Sequence, residues 1–406
     1  MFRRIGLLIF LCSIALPGVS GAQYFGKNKV QYTKFDFKII KTEHFDVYFY
    51  ERERVAAMDA ARMAERAYAR LSRILNHEFK ERKPIILYAS SADFEQTNTL
   101  NVGEGTGGVT DFFKHRAILP FTGAYAEFEH VLTHEMVHQF QYDVWSRGKA
   151  GAGLSTILRV NPPLWFAEGM AEYLSVGGIT PQTAMWLRDA ALEGDLPTLR
   201  ELNRVFPYRY GHSIIAYVGK RWGDEAVGAI LQGTVTGGIE GSFRRVLGLT
   251  VNQLIEQWRD DVQKQFLPEI KDRVKARVVA SPVLTEERSE GRLHVAPALS
   301  PDGSKIAYLS EKDFFFIDLY LADATTGKVK RRLVKSTFDP NFRTLRFLKA
   351  SMSWSPDGQF LAIAAGRKAQ DDIVILNGEN GKEVGRIKVD LNGITNPSWS
   401  PDGSQL

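Results

Sequence analysis

Cysteine is nearly absent from this chain, whose 406 residues include a single one, Cys12. Because Cys12 lies inside the N-terminal segment that we interpret as a signal below, we expect the rest of the chain to hold no disulfide. Long apolar runs are also scarce, and none after that segment is long enough to cross a bilayer. With 44% hydrophobic and 24% charged residues, the composition is that of an ordinary globular protein, long enough for two domains.

A strong excess of charge of either sign is missing as well. The formal net charge is +5, and Arg3 and Arg4 are the only charged residues before Gln23. The remainder of the chain therefore carries a still smaller positive excess. A nucleic-acid-binding protein normally carries a pronounced basic patch, so we predict no nucleic-acid partner.

The first 22 residues have the composition of a secretory signal. Arg3 and Arg4 form a basic start, and Ile5 to Leu16 form an apolar stretch too short to span a bilayer comfortably. Small residues precede a possible cleavage point after Ala22. The alternative is an uncleaved anchor. We predict a bacterial periplasmic or secreted protein, with no membrane span once the signal at residues 1–22 is removed.

A histidine pair marks the segment Thr133–Phe140, which reads THEMVHQF. On a helix, His134 and His138 would lie one turn apart on the same face. Two imidazoles so placed can bind one Zn²⁺ at about 2.0–2.1 Å, and Glu135 can act as general base on a water that the metal activates. Apolar residues at steps of three and four, without Gly or Pro between residues 124 and 142, predict that helix. The structural alternative is a buried helix with two satisfied histidines.

A pair of acidic residues lies farther along, in Pro162–Ser175, which reads PPLWFAEGMAEYLS. Catalytic zinc sites use three protein ligands and leave one position open. His134, His138 and Glu168 make such a set. Glu172, one turn after Glu168, can accept the free N–H of a ligand imidazole and fix its tautomer. The alternative for both acids is a solvated helix face, although large apolar residues surround them.

Together, H-E-x-x-H and W-F-A-E-G-M-A-E-Y resemble the gluzincin zinc metallopeptidases, in particular the peptidase MA-like bacterial proteins, over roughly Phe35 to Gln265. The resemblance implies a zincin-type fold, Glu168 as the third zinc ligand and Glu172 as the support of a ligand histidine. The chain departs from the aminopeptidase branch, because the gap between its motifs is longer and no G-x-M-E-N segment precedes the zinc helix. The resemblance therefore implies peptide-bond hydrolysis without aminopeptidase specificity.

The segments ahead of this motif helix also have recognisable patterns. Arg54 to Asn76 is predicted to be a helix and Pro84 to Ala89 a short buried strand. By resemblance, we expect Arg116–Phe121 to be the edge strand that pairs with an extended peptide substrate. The glycine-rich segment Asn101–Thr110 lacks the Lys-Ser/Thr ending of a phosphate-binding loop, which is its other interpretation. We predict a mobile rim loop near the cleft.

Further side chains are candidates for the site. We expect His130, one turn before His134, to lie beside the metal ligands, because a fourth protein ligand would close the position that catalysis needs. A metallopeptidase also needs a donor for the developing oxyanion. In the segment PYRYGHSIIAY, Tyr210 and His212 are candidates, because the gluzincin pattern often uses a Tyr or His from this later helical region. The alternative is an aromatic pair at the start of a core helix.

The C-terminal part of the chain repeats the tetrapeptide S-P-D-G, starting at Ser300, Ser355 and Ser400. Pro-Asp-Gly is typical of a tight turn between strands, and a repeat of this length predicts propeller blades. The residues resemble Tol-B-like six-bladed β-propellers, in which the Asp organises the turn. Two blades and a fragment cannot close a propeller. We therefore expect a partial propeller that belongs to a longer protein.

The predicted fold is an α+β zincin-type metallopeptidase domain at residues 23–275, mostly helical with a small mixed sheet, followed by an incomplete β-propeller at residues 281–406. The predicted function is that of a zinc-dependent endopeptidase acting on peptide or protein substrates. One alternative is a non-catalytic periplasmic peptide-binding or scaffold protein whose propeller docks a protein partner. The presence of Glu135 argues against this scaffold alternative, because a non-catalytic site needs no general base. Another alternative is a chance H-E-x-x-H match in an inactive helical domain.

Overall fold

The structure is a computed structural model of the chain. It describes residues 31–406 with the exception of 101, 103–104, 149–159, 292, 313–316, 337–344, 346–350, 368–369, 390 and 392. The predicted signal at residues 1–22 and Gly103 of the glycine-rich segment therefore lie outside the described residues. Within the described ranges, no helix combines the length and the apolar character that a membrane crossing requires.

A five-stranded mixed sheet with strand order β1-β2-β3-β5-β4 occupies the N-terminal part. Strands β2, β3 and β5 are parallel, and β1 and β4 pair antiparallel at the two edges. The strands are β1 Phe37–Lys41, β2 Phe45–Tyr50, β3 Lys83–Tyr88, β4 Val109–Asp111 and β5 Arg116–Pro120. In β2, Phe45, Val47 and Phe49 are buried on one face, because alternate side chains of a strand point to the same side of the sheet.

The position of β5 in this sheet corrects one expectation. It pairs with β3 on one side and with β4 on the other, so the prediction that Arg116–Phe121 forms the substrate-binding edge is wrong. The edge on this side is β4, with Thr110 opposite Ala117. This strand is only three residues long and follows a glycine-rich segment, so it has no alternation that a sequence pattern could detect.

Helices cover the sheet and form most of the rest of this part. They are α1 Arg54–Leu75, α2 Ser91–Phe94, α3 Tyr125–Ser146, α4 Leu164–Val176, α5 Pro181–Glu193, α6 Pro207–Trp222, α7 Asp224–Leu247, α8 Val251–Ile270, α9 Ala276–Val279 and α10 Glu286–Ser289. Helix α7 is broken at Gly238, whose φ of 63° is not helical. One continuous hydrophobic core joins β2, β3 and β5 to α1, α3, α4 and the later helices. The mixed helix and sheet architecture agrees with the coarse prediction.

Helices α4 and α6 approach each other closely because glycines face each other at their contact. A Cβ atom on Gly169 would lie 2.3 Å from the backbone carbon of Gly211. A Cβ atom on Gly211 would lie 2.2 Å from the carbonyl oxygen of Trp165. Any side chain larger than hydrogen at these positions would separate the two helices. The contact fixes α4, which carries Glu168, against the N-terminal half of α6.

Residues after the helical part form two four-stranded sheets of antiparallel strands, in the orders β6-β7-β8-β9 and β10-β11-β12-β13. The strands are β6 Val295–Leu299, β7 Lys305–Ser310, β8 Asp318–Asp323, β9 Val329–Val334, β10 Ser353–Trp354, β11 Phe360–Arg367, β12 Gln370–Asn377 and β13 Glu383–Lys388. The two sheets share a hydrophobic core of their own. Trp354 Nε1 joins them by donating to the carbonyl oxygen of Ala298 at 3.0 Å. The described residues form no closed ring of blades.

Each S-P-D-G segment is a tight turn, and the first two join the first and second strands of a sheet. At the first copy, Ser300 Oγ donates to Asp302 Oδ1 at 2.6 Å and accepts from the Lys305 backbone N–H at 3.0 Å. Gly303 completes the turn with a φ of 72°. The same hydrogen bonds recur at Ser355 and Ser400. The aspartate organises the turn, which is the structural role predicted for it.

Candidate metal centre

Two histidines and one glutamate meet where α3 packs on α4. His134 and His138 lie one turn apart on α3, and Glu168 reaches them from α4. His134 Nε2 is 3.2 Å from His138 Nε2, and Glu168 Oε2 is 3.1 Å and 3.3 Å from these two nitrogens. Both histidines are buried. The sequence motifs thus place three donor atoms around one point.

The spacing of these donors fits a zinc ion. Ligands about 2.0–2.1 Å from a tetrahedral metal lie about 3.3–3.4 Å from each other. The three separations in His134, His138 and Glu168 fall within 0.3 Å of that range. Two neutral imidazoles and a carboxylate are also a donor set that zinc accepts. The residues present therefore fit the metal that the motif predicts.

Glu172 supports this group from the next turn of α4. Its Oε1 lies 3.3 Å from His134 Nδ1 and 3.4 Å from His130 Nε2. Its Oε2 accepts a hydrogen bond of 3.1 Å from Arg209. Because Nε2 of His134 faces Glu168, the Nδ1–H is free to donate to Glu172, as the sequence predicts for this acid. His130, His134 and Glu172 are near enough to form a second group of potential ligands.

The other histidine has a supporting partner that the sequence reasoning missed. His138 Nδ1 is 2.8 Å from Gln141 Oε1, and Gln141 Nε2 donates to the Ala167 carbonyl oxygen at 2.9 Å. This amide links the ring of His138 to the start of α4. The sequence contains a signal for this contact, because Gln141 lies three residues after His138 and residues three apart on a helix are neighbours. Arg209 had no such signal, since it comes from a distant helix.

Electrostatics in this cluster favour a positive charge at its centre. Burial alone would lower the pKa of His134, but hydrogen bonds with Glu168 and Glu172 raise that pKa to about 10. For His138, burial again lowers the pKa, and the charge of Glu168 outweighs it, so the pKa is raised. Burial would raise the pKa of Glu168, whereas the two histidines hold it well below its ordinary value. The carboxylates suit a bound divalent cation.

Glu135 lies in the same pocket as the three donor residues. The pocket has a volume of about 390 Å³, within the range of small-ligand sites. Its lining residues are Leu100, Gly105, Thr106, Gly107, Gly108, Val109, Thr110, His130, Val131, His134, Glu135, His138, Tyr142, Glu168, Glu172 and Tyr208. The glycine-rich segment and strand β4 thus form one wall, which agrees with the predicted rim. A carboxylate beside the donor group can exchange a proton with a water in the pocket.

Among the tyrosines of the segment PYRYGHSIIAY, Tyr208 is the one that the structure brings to this pocket. Its ring lies 6.4 Å from the ring of His134, nearly parallel to it. Burial, and then the negative charge of Glu168 and Glu135, raise the pKa of Tyr208 above its ordinary value. The hydroxyl therefore keeps its proton and is a hydrogen-bond donor at neutral pH.

Tyr210 and His212, the candidates from the sequence, lie elsewhere. Tyr210 is buried with its ring edge against Trp258. His212 is fully buried, with Nδ1 3.0 Å from Thr183 Oγ1 and Nε2 3.0 Å from the Gly177 carbonyl oxygen. Neither lines the pocket, so the structure favours the core-helix alternative for both. Successive helix residues differ by about 100° in direction, so only the packing of α6 decides which one faces the site.

Comparison with known proteins agrees with a proteolytic role. The sequence model of the family described as peptidase of plants and bacteria matches residues 33–258, more than half of the chain. The chain belongs to this family. The matched range contains the whole five-stranded sheet and all the residues of the candidate metal centre.

Other similarities are more limited. The uncharacterized peptidase YuxL of Bacillus subtilis (strain 168) is 26% identical over 117 residues, which are 27% of this chain and 16% of that protein. The chain thus spans less than a fifth of that relative. TolB from Acinetobacter baumannii is 26% identical over 30% of this chain and 26% of its own, with a TM-score of 0.23. A putative TolB from Agrobacterium tumefaciens is 24% identical over 28% of this chain and 38% of its own, with a TM-score of 0.22.

Proposed function

We propose that the chain is a zinc-dependent endopeptidase of the gluzincin type. The observation that carries this proposal is the group of His134, His138 and Glu168 donor atoms at metal-ligand spacing, with Glu135 in the same pocket. Membership of a peptidase family supports the reaction class. A Zn²⁺ held by these three residues supplies a Lewis acid that polarises a peptide carbonyl and lowers the pKa of a water to about 7.

Glu135 acts as the general base in this proposal. It takes a proton from the attacking water while the water oxygen bonds to the carbonyl carbon. It then passes that proton to the amine nitrogen as the carbon–nitrogen bond breaks. The buried position of Glu135 beside the ligand His134 supports this role. The carboxylate ends the cycle in the state in which it began.

Tyr208 takes the role of the oxyanion donor. A developing negative charge on the carbonyl oxygen needs a fixed hydrogen-bond donor, and a tyrosine hydroxyl is one. Among Tyr208, Tyr210 and His212, only Tyr208 lines the pocket. Its place at the first turn of α6 is held by the neighbouring Arg209, which donates to Glu172 and to Gln182.

The walls of the pocket support cleavage within a peptide rather than at its ends. An extended substrate can pair with the outer edge of β4, next to the base and the donor group. Among the lining residues that the structure describes, there is no Lys or Arg to bind a terminal carboxylate. The acids Glu168 and Glu172 are already engaged with histidines. Leu100, Val131 and Tyr142 add apolar surface for substrate side chains.

Metal content is the first test of this proposal. Zinc per chain is measured by elemental mass spectrometry in the wild type and in Glu168→Ala, with the exposed Glu287→Ala as a control. We expect about one zinc in the wild type and the control, and much less in Glu168→Ala. Equal zinc in all three proteins would remove Glu168 as a ligand.

Hydrolysis is the second test, with a peptide blocked at both termini and a denatured protein as substrates. We expect the wild type to cleave both and to lose activity with a chelator. Glu135→Gln should keep its zinc and lose hydrolysis, because an amide cannot accept the proton. If Glu135→Gln keeps full activity, Glu135 is not the base. If zinc binds and nothing is cleaved, the scaffold alternative becomes the better explanation.

The proposal also includes export of the protein and its division into two domains, as the sequence predicts. Export to the periplasm or the exterior rests on the signal-like composition of residues 1–22. The division into a peptidase domain at 23–275 and a partial propeller at 281–406 is supported by the two separate hydrophobic cores. We propose that the propeller part docks a protein partner, because propellers commonly present docking surfaces. Fold alone does not define function.

A further inference from the structure

Thr110 of strand β4 makes close contact with Glu135. Its Oγ1 lies 2.6 Å from Glu135 Oε2 and 2.9 Å from the Glu135 carbonyl oxygen. Thr110 is 8% exposed and Glu135 is 5% exposed, so water has little access to this contact. A hydroxyl that donates to a carboxylate at such a distance makes a strong, charge-assisted hydrogen bond. The hydrogen bond restricts the side chain of Glu135 at Oε2.

The backbone two residues earlier restricts the same side chain from another direction. A Cβ atom on Gly108 would lie 2.8 Å from Glu135 Cγ, 2.9 Å from Glu135 Oε1 and 3.0 Å from Val131 Cγ1. The strand segment therefore approaches Glu135 to a distance that only glycine permits. At Gly107, a Cβ atom would meet only the side chain of Val131, at 3.5 Å, which is an ordinary contact.

We propose that Thr110 is a positioning residue for the general base. Its hydroxyl holds Oε2 of Glu135, so that Oε1 is the oxygen that takes the proton from the attacking water. Gly108 leaves the space in which this orientation fits. A base that is held in one orientation stays within reach of the attacking water. Small displacements of reacting groups lower the reaction rate strongly. The inference rests on the proposed role of Glu135 as the base.

A pair of threonine substitutions in the full chain tests the hydroxyl. Thr110→Val keeps the shape of the side chain and removes the donor, whereas Thr110→Ser keeps the donor. With the blocked peptide as substrate, we expect kcat of Thr110→Val to fall about 10- to 100-fold, with KM and zinc content unchanged. Thr110→Ser should recover most of that loss. A purely structural role would change zinc content or KM along with kcat.

A pair of glycine substitutions tests whether the orientation of Glu135 needs the space beside Gly108. The same pair tests the positioning of Glu135 if Thr110→Val does not fold. We expect Gly108→Ala to lower kcat by a similar factor, because the new methyl group displaces Glu135. Gly107→Ala is the matched comparison, in which the Glu135 carboxylate should keep its position because the new methyl group meets only the side chain of Val131. Crystal structures provide a readout that is independent of turnover. The Glu135 carboxylate should move in Thr110→Val and Gly108→Ala and stay in place in the two controls.

The outcomes separate this inference from the proposed function. If Glu135→Gln is inactive while Thr110→Val has the kcat of the wild type and an unmoved Glu135, the positioning role is wrong and the base is retained. If Glu135→Gln is fully active, the proposed function fails, and so does the inference that rests on it. An equal loss in Gly107→Ala and Gly108→Ala would also overturn the inference, because it would show a general effect on the strand.

Discussion

The proposed role of Tyr208 as the oxyanion donor depends on a single hydroxyl group. Tyr208→Phe removes only this group from the pocket wall. We expect kcat to fall about 100- to 1,000-fold, as for the loss of one oxyanion donor, while zinc binding is unchanged. Steady-state kinetics with the blocked peptide measure the change.

The chain offers a matched control for this substitution two residues away. Tyr210→Phe makes the same chemical change on a ring that packs on Trp258 outside the pocket. Its kcat should equal that of the wild type within about twofold, since it touches neither substrate nor ligand. A large loss in Tyr210→Phe, with little loss in Tyr208→Phe, would return the donor role to the residue that the sequence suggested.

Gln141 belongs to the same scale, because it contacts the candidate metal centre through His138. Gln141→Leu removes the acceptor for His138 Nδ1 and the link to Ala167. We expect zinc affinity, measured by competition with a chelator, to fall about 10- to 100-fold. Gln232→Leu removes an amide that donates to the Leu75 carbonyl oxygen, and Gln232 is not among the lining residues of the pocket, so this variant should keep the wild-type affinity.

At the scale of elements, the site is a junction of α3, α4, α6 and β4. Helix α3 supplies His134 and His138, and α4 supplies Glu168. Helix α6 brings Tyr208 to the pocket, and β4 brings Thr110. No single element holds the complete set. We therefore expect the distance between α4 and α6 to affect both the proposed chemistry and the stability.

The glycine contact between α4 and α6 tests this dependence. In Gly211→Ala, the new methyl group would meet the Trp165 carbonyl oxygen and push α4 away. We expect a loss of about 1–3 kcal/mol in the free energy of unfolding and weaker zinc binding, because Glu168 moves with α4. Denaturant titration and chelator competition measure the two effects.

A helix glycine in open space serves as the control for that substitution. A Cβ atom on Gly241 of α7 would meet nothing within 4 Å. Gly241→Ala should therefore raise the free energy of unfolding by up to about 1 kcal/mol through helix propensity alone. Zinc binding that survives in Gly211→Ala would show that α4 can move without disturbing Glu168.

At the scale of the whole molecule, a buried ionic cluster ties distant parts of the peptidase part together. Asp143 at the end of α3 contacts Lys83 of β3, His77 after α1 and His115 before β5. Asp143 is fully buried. Burial would raise its pKa, but hydrogen bonds from His115, His77 and Lys83 hold that pKa well below its ordinary value.

This cluster predicts a dependence of stability on pH. Because the pKa of Asp143 is lower in the folded than in the unfolded state, its contribution is complete above the unfolded value of about 3.9. The contribution is lost as pH falls below that value toward the folded pKa. Thermal unfolding between pH 7 and pH 2 should show a steep loss on the acid side.

Asp143→Asn is the variant that checks the source of this loss. It leaves Lys83 buried without its counter-charge, so we expect about 3–5 kcal/mol less stability at pH 7. It should also show a flatter acid limb, because the titrating group is gone. The exposed Asp260→Asn should match the wild type throughout. An equally steep acid limb in Asp143→Asn would assign the effect to other carboxylates.

Local sequence patterns determined several helices and turns of this protein. The four-residue spacing of His134 and His138 on a Gly- and Pro-free segment predicts one turn of α3, because helical periodicity depends only on neighbours. The same reasoning holds for Glu168 and Glu172 on α4. The turns of the S-P-D-G repeats are also local. These elements appear in the structure where the sequence indicates them.

Only the tertiary structure decided the contacts between elements. Strand β4 lies at the sheet edge in place of β5, since strand order depends on pairing across the chain. The rotation of α6, set by its packing on α4, turns Tyr208 to the pocket and Tyr210 to the core. Thr110 meets Glu135 through the same long-range packing. Periodicity defines a face on each element, and the packing of elements decides what that face meets.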